Sequence, residues 1–182
     1  MAICKINEKK NKLLKKIKIK DGEIFIKDVL LKDANKNYQS WFNYKHNFKF
    51  IEKSKYKPSI KYLKIYIKNF RQNQHKKLIG IFYKKNLHIG NISLTRISFL
   101  KKSLFLGIFI GNPKYRGRGI GSKSIYMITN YLIKNTFIEK IYLGVKKDNI
   151  NAIRAYKKNN FKIFRKKSLG YLMLLKKNMY KI

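Results

Sequence analysis

Arg116-Gly117-Arg118-Gly119-Ile120-Gly121-Ser122 puts three glycines and two guanidinium groups into one turn, just ahead of a long apolar-periodic segment. Residues of these types at a strand-to-helix junction suit an anion. The first turn of a helix has N–H groups without intrahelical partners, at the positive end of the helix dipole. Glycine lets an anion approach the backbone and adopts angles that other residues resist. A nucleotide phosphate is therefore the first chemistry to weigh, beside nucleic-acid contact through the arginines and a plain flexible turn. Two phosphate loops fit poorly. A Walker loop closes on Gly-Lys-Ser/Thr, whereas here Gly121-Ser122-Lys123-Ser124 follows. A Rossmann fingerprint needs G-x-G-x-x-G near the first strand and an acidic residue about 20 positions on. This turn is G-x-G-x-G and comes late in the chain.

Two other places carry groups able to do chemistry. Asn149 stands where a helix should begin, in Asn149-Ile-Asn-Ala152-Ile-Arg-Ala-Tyr156-Lys-Lys-Asn-Asn-Phe161. An asparagine there is an attractive N-cap. His88, in His88-Ile-Gly-Asn91, titrates near neutral pH and is either a base or a core histidine. Cys4 sits in the basic N-terminal lead-in and is not read as a nucleophile.

The elements that must position these residues follow from periodicity. Residues 1–20 read as a basic, frayed lead-in, with a single domain over 21–182. Glu23 to Leu30 reads as a strand. Asp33 offers an N-cap to a helix over Ala34–Tyr44, with Tyr38, Trp41 and Phe42 on one side. Ser59 to Phe70 carries the helical stripe Ile60, Leu63, Ile67, Phe70. Lys77–Tyr83 and His88–Ile97 flank Lys84-Lys85-Asn86 as a hairpin, and Leu104–Ile110 is the next strand. A helix from Ile120 to about Asn135, a strand over Lys140–Val145 and a helix over Asn149–Asn159 come next. Phe161–Phe164 and Tyr171–Leu175 close as a β pair. The order is β-α-α-β-β-β-α-β-α-β-β, an α/β (α+β) domain on a mixed, mainly antiparallel sheet flanked by helices, and not a doubly wound one.

Composition bounds the rest. At 182 residues, 45% hydrophobic and 14% aromatic, the chain can fill one core and is not of a disordered type. Its one cysteine excludes an intrachain disulfide framework, and no metal site is expected. No secretory signal or membrane-length apolar run is visible, so a cytoplasmic protein is expected. The net charge of +37 points towards anionic partners, including non-specific nucleic acid. The dominance of Lys, Asn, Ile, Tyr and Phe also matches AT-rich codon usage, which needs no functional cause.

Arg116-x-x-Gly119-x-Gly121 resembles the R/Q-x-x-G-x-G/A signature of the GCN5-related N-acetyltransferase (GNAT) superfamily. The Asn149–Phe161 stretch resembles that family's N-x-x-A-x-x-x-Y-x-K-x-G-F, with Asn160 in place of the glycine. Leu106-Gly-Ile-Phe-Ile-Gly111 looks like the central splayed strand of that family, and the element order agrees over most of the chain. The resemblance implies transfer of an acetyl group from acetyl-CoA to a primary amine by direct attack. It implies that backbone amides of Gly117, Arg118, Gly119, Ile120, Gly121 and Ser122 receive the pyrophosphate, with Arg116 and Arg118 adding charge. It implies that Phe109, Ile110 and Gly111 offer backbone groups to the pantetheine arm, and that Asn149, with Asn151 a weaker candidate, binds the same arm. Tyr156 is implied as general acid to the departing thiolate; its competing reading is a core tyrosine packed on Phe161. His88 is a tentative base. The glutamate bases of other members cannot be carried over, because Gly144 and Phe105 stand at those positions. Trp41-Phe-Asn-Tyr44 and His88–Leu94 look like the RimJ/RimL-like branch and its relatives that acetylate amino sugars. The acceptor implied is an amino-sugar nucleotide. The alternatives are a protein N-terminus or lysine, as in ribosomal-protein acetylation, and a non-catalytic nucleic-acid-binding protein.

Overall fold

The computed structural model describes residues 16–44, 47 and 57–179. Eight strands form one sheet in the order β1-β2-β3-β4-β5-β6-β8-β7. β1 (Lys18–Asp21) and β2 (Ile24–Asp28) are a hairpin turned at Gly22, whose φ is 58°. β3 (Lys77–Tyr83), β4 (Leu87–Ser98) and β5 (Ser103–Ile110) continue it as an antiparallel meander. β6 (Lys140–Lys146) lies parallel to β5, and β8 (Gly170–Lys176) and β7 (Lys162–Lys167) finish the sheet antiparallel. Among the described residues the α-helices are α1 (Lys36–Ser40), α2 (Ile60–Arg71), α3 (Ile120–Asn135) and α4 (Ile150–Lys158).

Strand alternation divides the core between two faces. In β3, Ile79 and Ile81 join the large cluster that includes Ile125, Ile128 and Leu132 of α3. Leu78 points the other way, into a smaller cluster with Tyr38, Trp41, Leu63 and Ile67 from the α1 and α2 side. β5 divides likewise: Leu104 and Leu106 belong to the first cluster, while Phe109 packs on the second. The result is a three-layer sandwich, helices on both faces of the sheet.

The expected elements are present, with corrections at the N-terminal side. The expected order lacks β1. Its residues fell within the basic lead-in, but Lys18–Lys20 pair with β2, and Ile17 is fully buried. The alternation of Ile17 and Ile19 is a strand signal that the surrounding lysines hide. Residues 1–15, Cys4 among them, lie outside the described residues. The helix expected over Ala34–Tyr44 is broken into a 3-10 turn at Leu31–Asp33, the short α1, and a second 3-10 turn at Trp41–Asn43. Its cap is Asn35, whose side chain accepts from the Tyr38 N–H, and not Asp33, whose carboxylate accepts from the Leu30 N–H. α2 starts on the Ser59 cap as its stripe predicts, and buries Leu63 and Ile67. At the end of α4, Asn160 takes the left-handed φ of 63° that the missing glycine requires.

Two glycines near the centre of the sheet differ sharply in tolerance. A Cβ on Gly111 would meet the Trp41 ring at 2.0 Å, so the indole lies directly on the backbone after β5. A Cβ on Gly144 would meet nothing within 4 Å. Gly111→Ala is expected to lower the unfolding free energy by about 2 kcal/mol or more through overpacking. Gly144→Ala should change it by less than about 0.5 kcal/mol. Urea unfolding of the two variants checks the contrast.

Candidate functional site

β5 and β6 begin side by side and then part. They pair only from Ser103↔Lys140 to Phe105↔Tyr142. Beyond that, β5 stays with β4 as far as Ile110, and β6 stays with β8 as far as Lys146. This is the sheet's one parallel pair, and α3 with the loop before it forms the crossover between its strands. The gap therefore opens at the carboxyl end of adjacent parallel strands, beside the start of a helix. Ligands of open α/β sheets bind in such places.

The glycine turn stands at the mouth of this gap. Gly117 and Gly119 have φ of 71° and 73°, a left-handed conformation that strains residues with side chains. Gly119 is the N-cap of α3 and makes no side-chain cap bond. The first helical bond in α3 comes from the Lys123 N–H to the Gly119 carbonyl. Ile120, Gly121 and Ser122 thus present N–H groups that the helix cannot satisfy. A Cβ at Gly117 or Gly119 would touch nothing within 4 Å, and one at Gly121 would meet only Ile110 Cγ1 at 3.8 Å. The turn is open on its outer side. Arg118 is exposed, with its guanidinium 5.9 Å from the Tyr115 ring centre.

Arg116 is placed differently from its neighbours. Its guanidinium donates to the Ile110 carbonyl from Nε at 2.9 Å and from Nη2 at 2.6 Å, and Nη2 also donates to Asn47 Oδ1. Asn47 is buried, and its Nδ2 donates to the Trp41 carbonyl and, at 2.9 Å, to the Gly111 carbonyl. Arg116 therefore faces the end of β5. The Gly111 N–H is spent on the Ile89 carbonyl of β4, 2.9 Å away. Backbone groups alternate along a strand, so Phe109 also faces β4, while the N–H groups of Ile108 and Ile110 face the gap. Of the three residues expected to meet the pantetheine arm, Ile110 is the one whose N–H direction suits it.

The second motif lies on α4. Asn149 caps the helix, its side chain accepting from the Ala152 N–H, and Asn151 is exposed. Tyr156 is buried, 6.1 Å from Phe161 between ring centres. Burial pushes its phenol up to about 12, so it keeps its proton throughout the neutral range. Its hydroxyl makes no hydrogen bond to a described residue. Asn159, which sequence reasoning missed, donates to the carbonyl and hydroxyl of Ser122 at 3.2 and 2.9 Å. It ties the end of α4 to the first turn of α3. Its neighbour Asn160 drew attention as the glycine replacement, and nothing in the sequence marks Asn159 apart from it.

His88 lies in an aromatic box behind the end of β5, where the Trp41 ring that meets it also lies on Gly111. Phe82 stacks on its ring at 4.6 Å, and Trp41 and Tyr38 meet it edge-on at 4.7 and 5.2 Å. A bulge in the β3–β4 ladder leaves Ile89 as the extra residue, which turns His88 and Asn91 to one face. His88 Nε2 then meets Asn91 Oδ1 at 2.8 Å, and Asn91 Nδ2 donates to the Tyr38 hydroxyl at 2.7 Å. The imidazole Nδ1 is buried without a partner among the described residues. Burial lowers the imidazole pKa, opposed by the Asn91 hydrogen bond.

Every described carboxylate has a partner in the structure. Asp21 pairs with Lys123, Glu23 with Lys84, Asp28 with Lys77 and Glu139 with Lys102. Asp33 holds the Leu30 N–H, and Asp148 is engaged as well. Gly144 is exposed, and Phe105 is stacked at 5.3 Å on Tyr142. Among the described residues no three His, Cys, Asp or Glu side chains could share a metal ion.

A splayed parallel pair followed by an open glycine turn at a helix start forms a cleft suited to an anionic ligand. The acetyltransferase (GNAT) family model matches residues 37–161, and the chain belongs to that family of N-acetyltransferases. Solved structures share the fold at low identity. RimL, a ribosomal-protein alpha-N-acetyltransferase in complex with coenzyme A, superposes with a TM-score of 0.79 at 15% identity, covering 88% of this chain and 98% of its own. Spermidine N-acetyltransferase from Vibrio cholerae, in complex with CoA and spermine, gives 0.73 at 18% identity, covering 87% and 98%. The microcin C7 self-immunity acetyltransferase MccE, in complex with acetyl-CoA and AMP, gives 0.74 at 20% identity, covering 86% and 93%. No helix among the described residues is long and apolar enough to cross a membrane.

The His88 environment has a measurable consequence for stability. Its folded pKa lies below the unfolded value of about 6.5, so the unfolded chain binds the proton more readily. Stability is then lost as pH falls below about 6.5, by at most about 1.4 kcal/mol per pH unit from this group. Denaturant midpoints between pH 7.5 and 5.5 should fall in the unaltered protein and fall less in His88→Gln.

Proposed function

We propose that the cleft binds acetyl-CoA with its pyrophosphate on the Gly117–Ser122 turn and its pantetheine arm along the open edge of β5. The parting of β5 from β6 after Phe105 carries this reading. It provides an edge to which an extended, amide-bearing chain can add as a strand does. The orphan N–H groups of α3 suit the diphosphate beside it. Asn149, with its Oδ1 on the Ala152 N–H, has its amide nitrogen available to the same arm. Asn151 is the outer, weaker contact.

The reaction we assign is direct. A neutral amine attacks the thioester carbonyl, the C–N bond forms, and the Ile110 N–H polarises the carbonyl oxygen. The C–S bond then breaks, and Tyr156 gives its proton to the departing thiolate. The amine proton leaves to solvent, and solvent returns a proton to the Tyr156 phenolate, which closes the cycle. We assign His88 a packing role, because Tyr38, Trp41 and Phe82 wall its ring and Asn91 holds Nε2.

The acceptor we propose is anionic, with an amino-sugar nucleotide the best fit and a protein N-terminus or lysine second. The charge balance supports this: net charge is +37, and every described carboxylate is committed. A polyamine would meet no free carboxylate among the described residues and considerable repulsion. The same charge would attract nucleic acid non-specifically.

Calorimetry should show acetyl-CoA binding at moderate salt; no binding would remove the reading. A transfer screen should then favour amino-sugar nucleotides over spermidine, with the acceptor KM rising as salt is added. Tyr156→Phe should lower kcat about 100-fold with acetyl-CoA affinity unchanged. Unchanged turnover across pH would end the acid role of Tyr156. His88→Gln should keep the acidic limb of the pH–rate profile, and loss of that limb would make His88 the base.

A further inference from the structure

We propose that Arg116 and Asn47 are positioning residues for acyl transfer, and that Arg116 is not a phosphate ligand. The proposal rests on the acetyl-CoA reading above. An extended residue presents its N–H and C=O to the same side of the strand. Fixing the Ile110 carbonyl therefore fixes the direction of the Ile110 N–H, the group that faces the gap.

The fixing is done by one connected unit. The planar fork of Arg116 holds the Ile110 carbonyl with two donors, Nε at 2.9 Å and Nη2 at 2.6 Å. Nη2 also reaches Asn47 Oδ1. The other end of the Asn47 amide holds the next carbonyl, Gly111, at 2.9 Å, and the Trp41 carbonyl behind it. The Trp41 ring in turn lies on Gly111. Two consecutive carbonyls, at the point where β5 leaves β4, are thus tied to a side-chain pair. Asn47 is only 1% exposed. Burial makes these bonds stronger and the loss of one partner costlier. A lysine could keep the charge of Arg116 but not its fork. With Nε and Nη2 committed to β5, Arg116 is a poor candidate for the pyrophosphate, whereas Arg118 is exposed and makes no hydrogen bond within the described structure.

The test separates placement from binding. In Arg116→Lys and Asn47→Ala, kcat should fall about 10- to 100-fold, the scale of a misplaced reacting geometry and below the roughly 100- to 1000-fold loss when an oxyanion donor is removed outright. The Kd for CoA, measured by calorimetry, should stay within about twofold, since orphan amides of the turn do the binding. Arg116→Gln, which loses the charge but can still donate to the Ile110 carbonyl, should recover part of the kcat lost in Arg116→Lys. In labelled protein the amide signals of Ile110 and Gly111 should shift in both Asn47→Ala and Arg116→Lys, even before CoA is added. A phosphate ligand at Arg116 predicts the reverse: Arg116→Lys near normal, Arg116→Gln weakened in CoA binding. That pattern, or an Asn47→Ala variant with unaltered kcat and unshifted amides, would overturn the proposal. If Arg116→Lys does not fold, Asn47→Ala decides alone. Absence of CoA binding by the unaltered protein would instead fell the acetyl-CoA reading itself, and this inference with it.

Discussion

The site depends on a sheet that is opened in its interior. A strand pair that parts leaves backbone donors and acceptors facing one another across a gap, and such groups are costly unless something satisfies them. The separation of β5 from β6 after Phe105 creates that demand at Ile108 and Ile110. The rest of the structure keeps the opening in shape. β4 holds one side of β5 as far as Ile110, and β8 holds β6 as far as Lys146. α3, anchored to α4 by Asn159, fixes the glycine turn at the mouth. The opening is thus held from both sides by paired strands.

The surplus of positive charge affects the site mainly by what it withholds. Eight acidic residues serve a 182-residue chain; of the described ones, Asp21, Glu23, Asp28 and Glu139 are in ion pairs, Asp33 holds the Leu30 N–H, and Asp148 is engaged as well. Surface pairs of this kind add little stability. Among the described residues, none of the carboxylates is left without a partner. The groups that line the opening are instead main-chain N–H groups at the end of β5 and the start of α3. This arrangement tolerates a compositional drift towards lysine, since its central groups are main-chain N–H groups that no codon bias can alter.

What the sequence showed, and what it hid, follows the range of each interaction. Local features were legible. The Gly117 and Gly119 turn, the Asn149 cap, the Ser59 cap and the left-handed Asn160 each express a preference of one or two residues. The strands of the meander were legible from alternation. β1 was not, because lysines fill its exposed positions and conceal the Ile17 and Ile19 pattern. Arg116 illustrates the other limit. Its place in the motif suggested a phosphate, but its partners Ile110 and Asn47 lie 6 and 69 residues away. A contact between such distant residues leaves no trace in spacing.

The aromatic box behind Gly111 links the two halves of this picture. Trp41, Tyr38 and Phe82 surround His88 with apolar surface, which favours the neutral imidazole, and Phe109 packs on the far side against Trp41. The His88–Asn91–Tyr38 chain satisfies three polar groups in a place where an unpaired one would be expensive. Asn37 adds a bond from α1 to the His88 carbonyl at 2.8 Å. Together these contacts weld the N-terminal helical segment to β4, and Trp41 carries the rigidity across to Gly111. The seam is made of ring-on-backbone packing and bonds to main-chain carbonyls. Contacts of that kind constrain the shape of the chain more than the identity of its side chains, a physical reason why one fold persists at 15 to 20% identity.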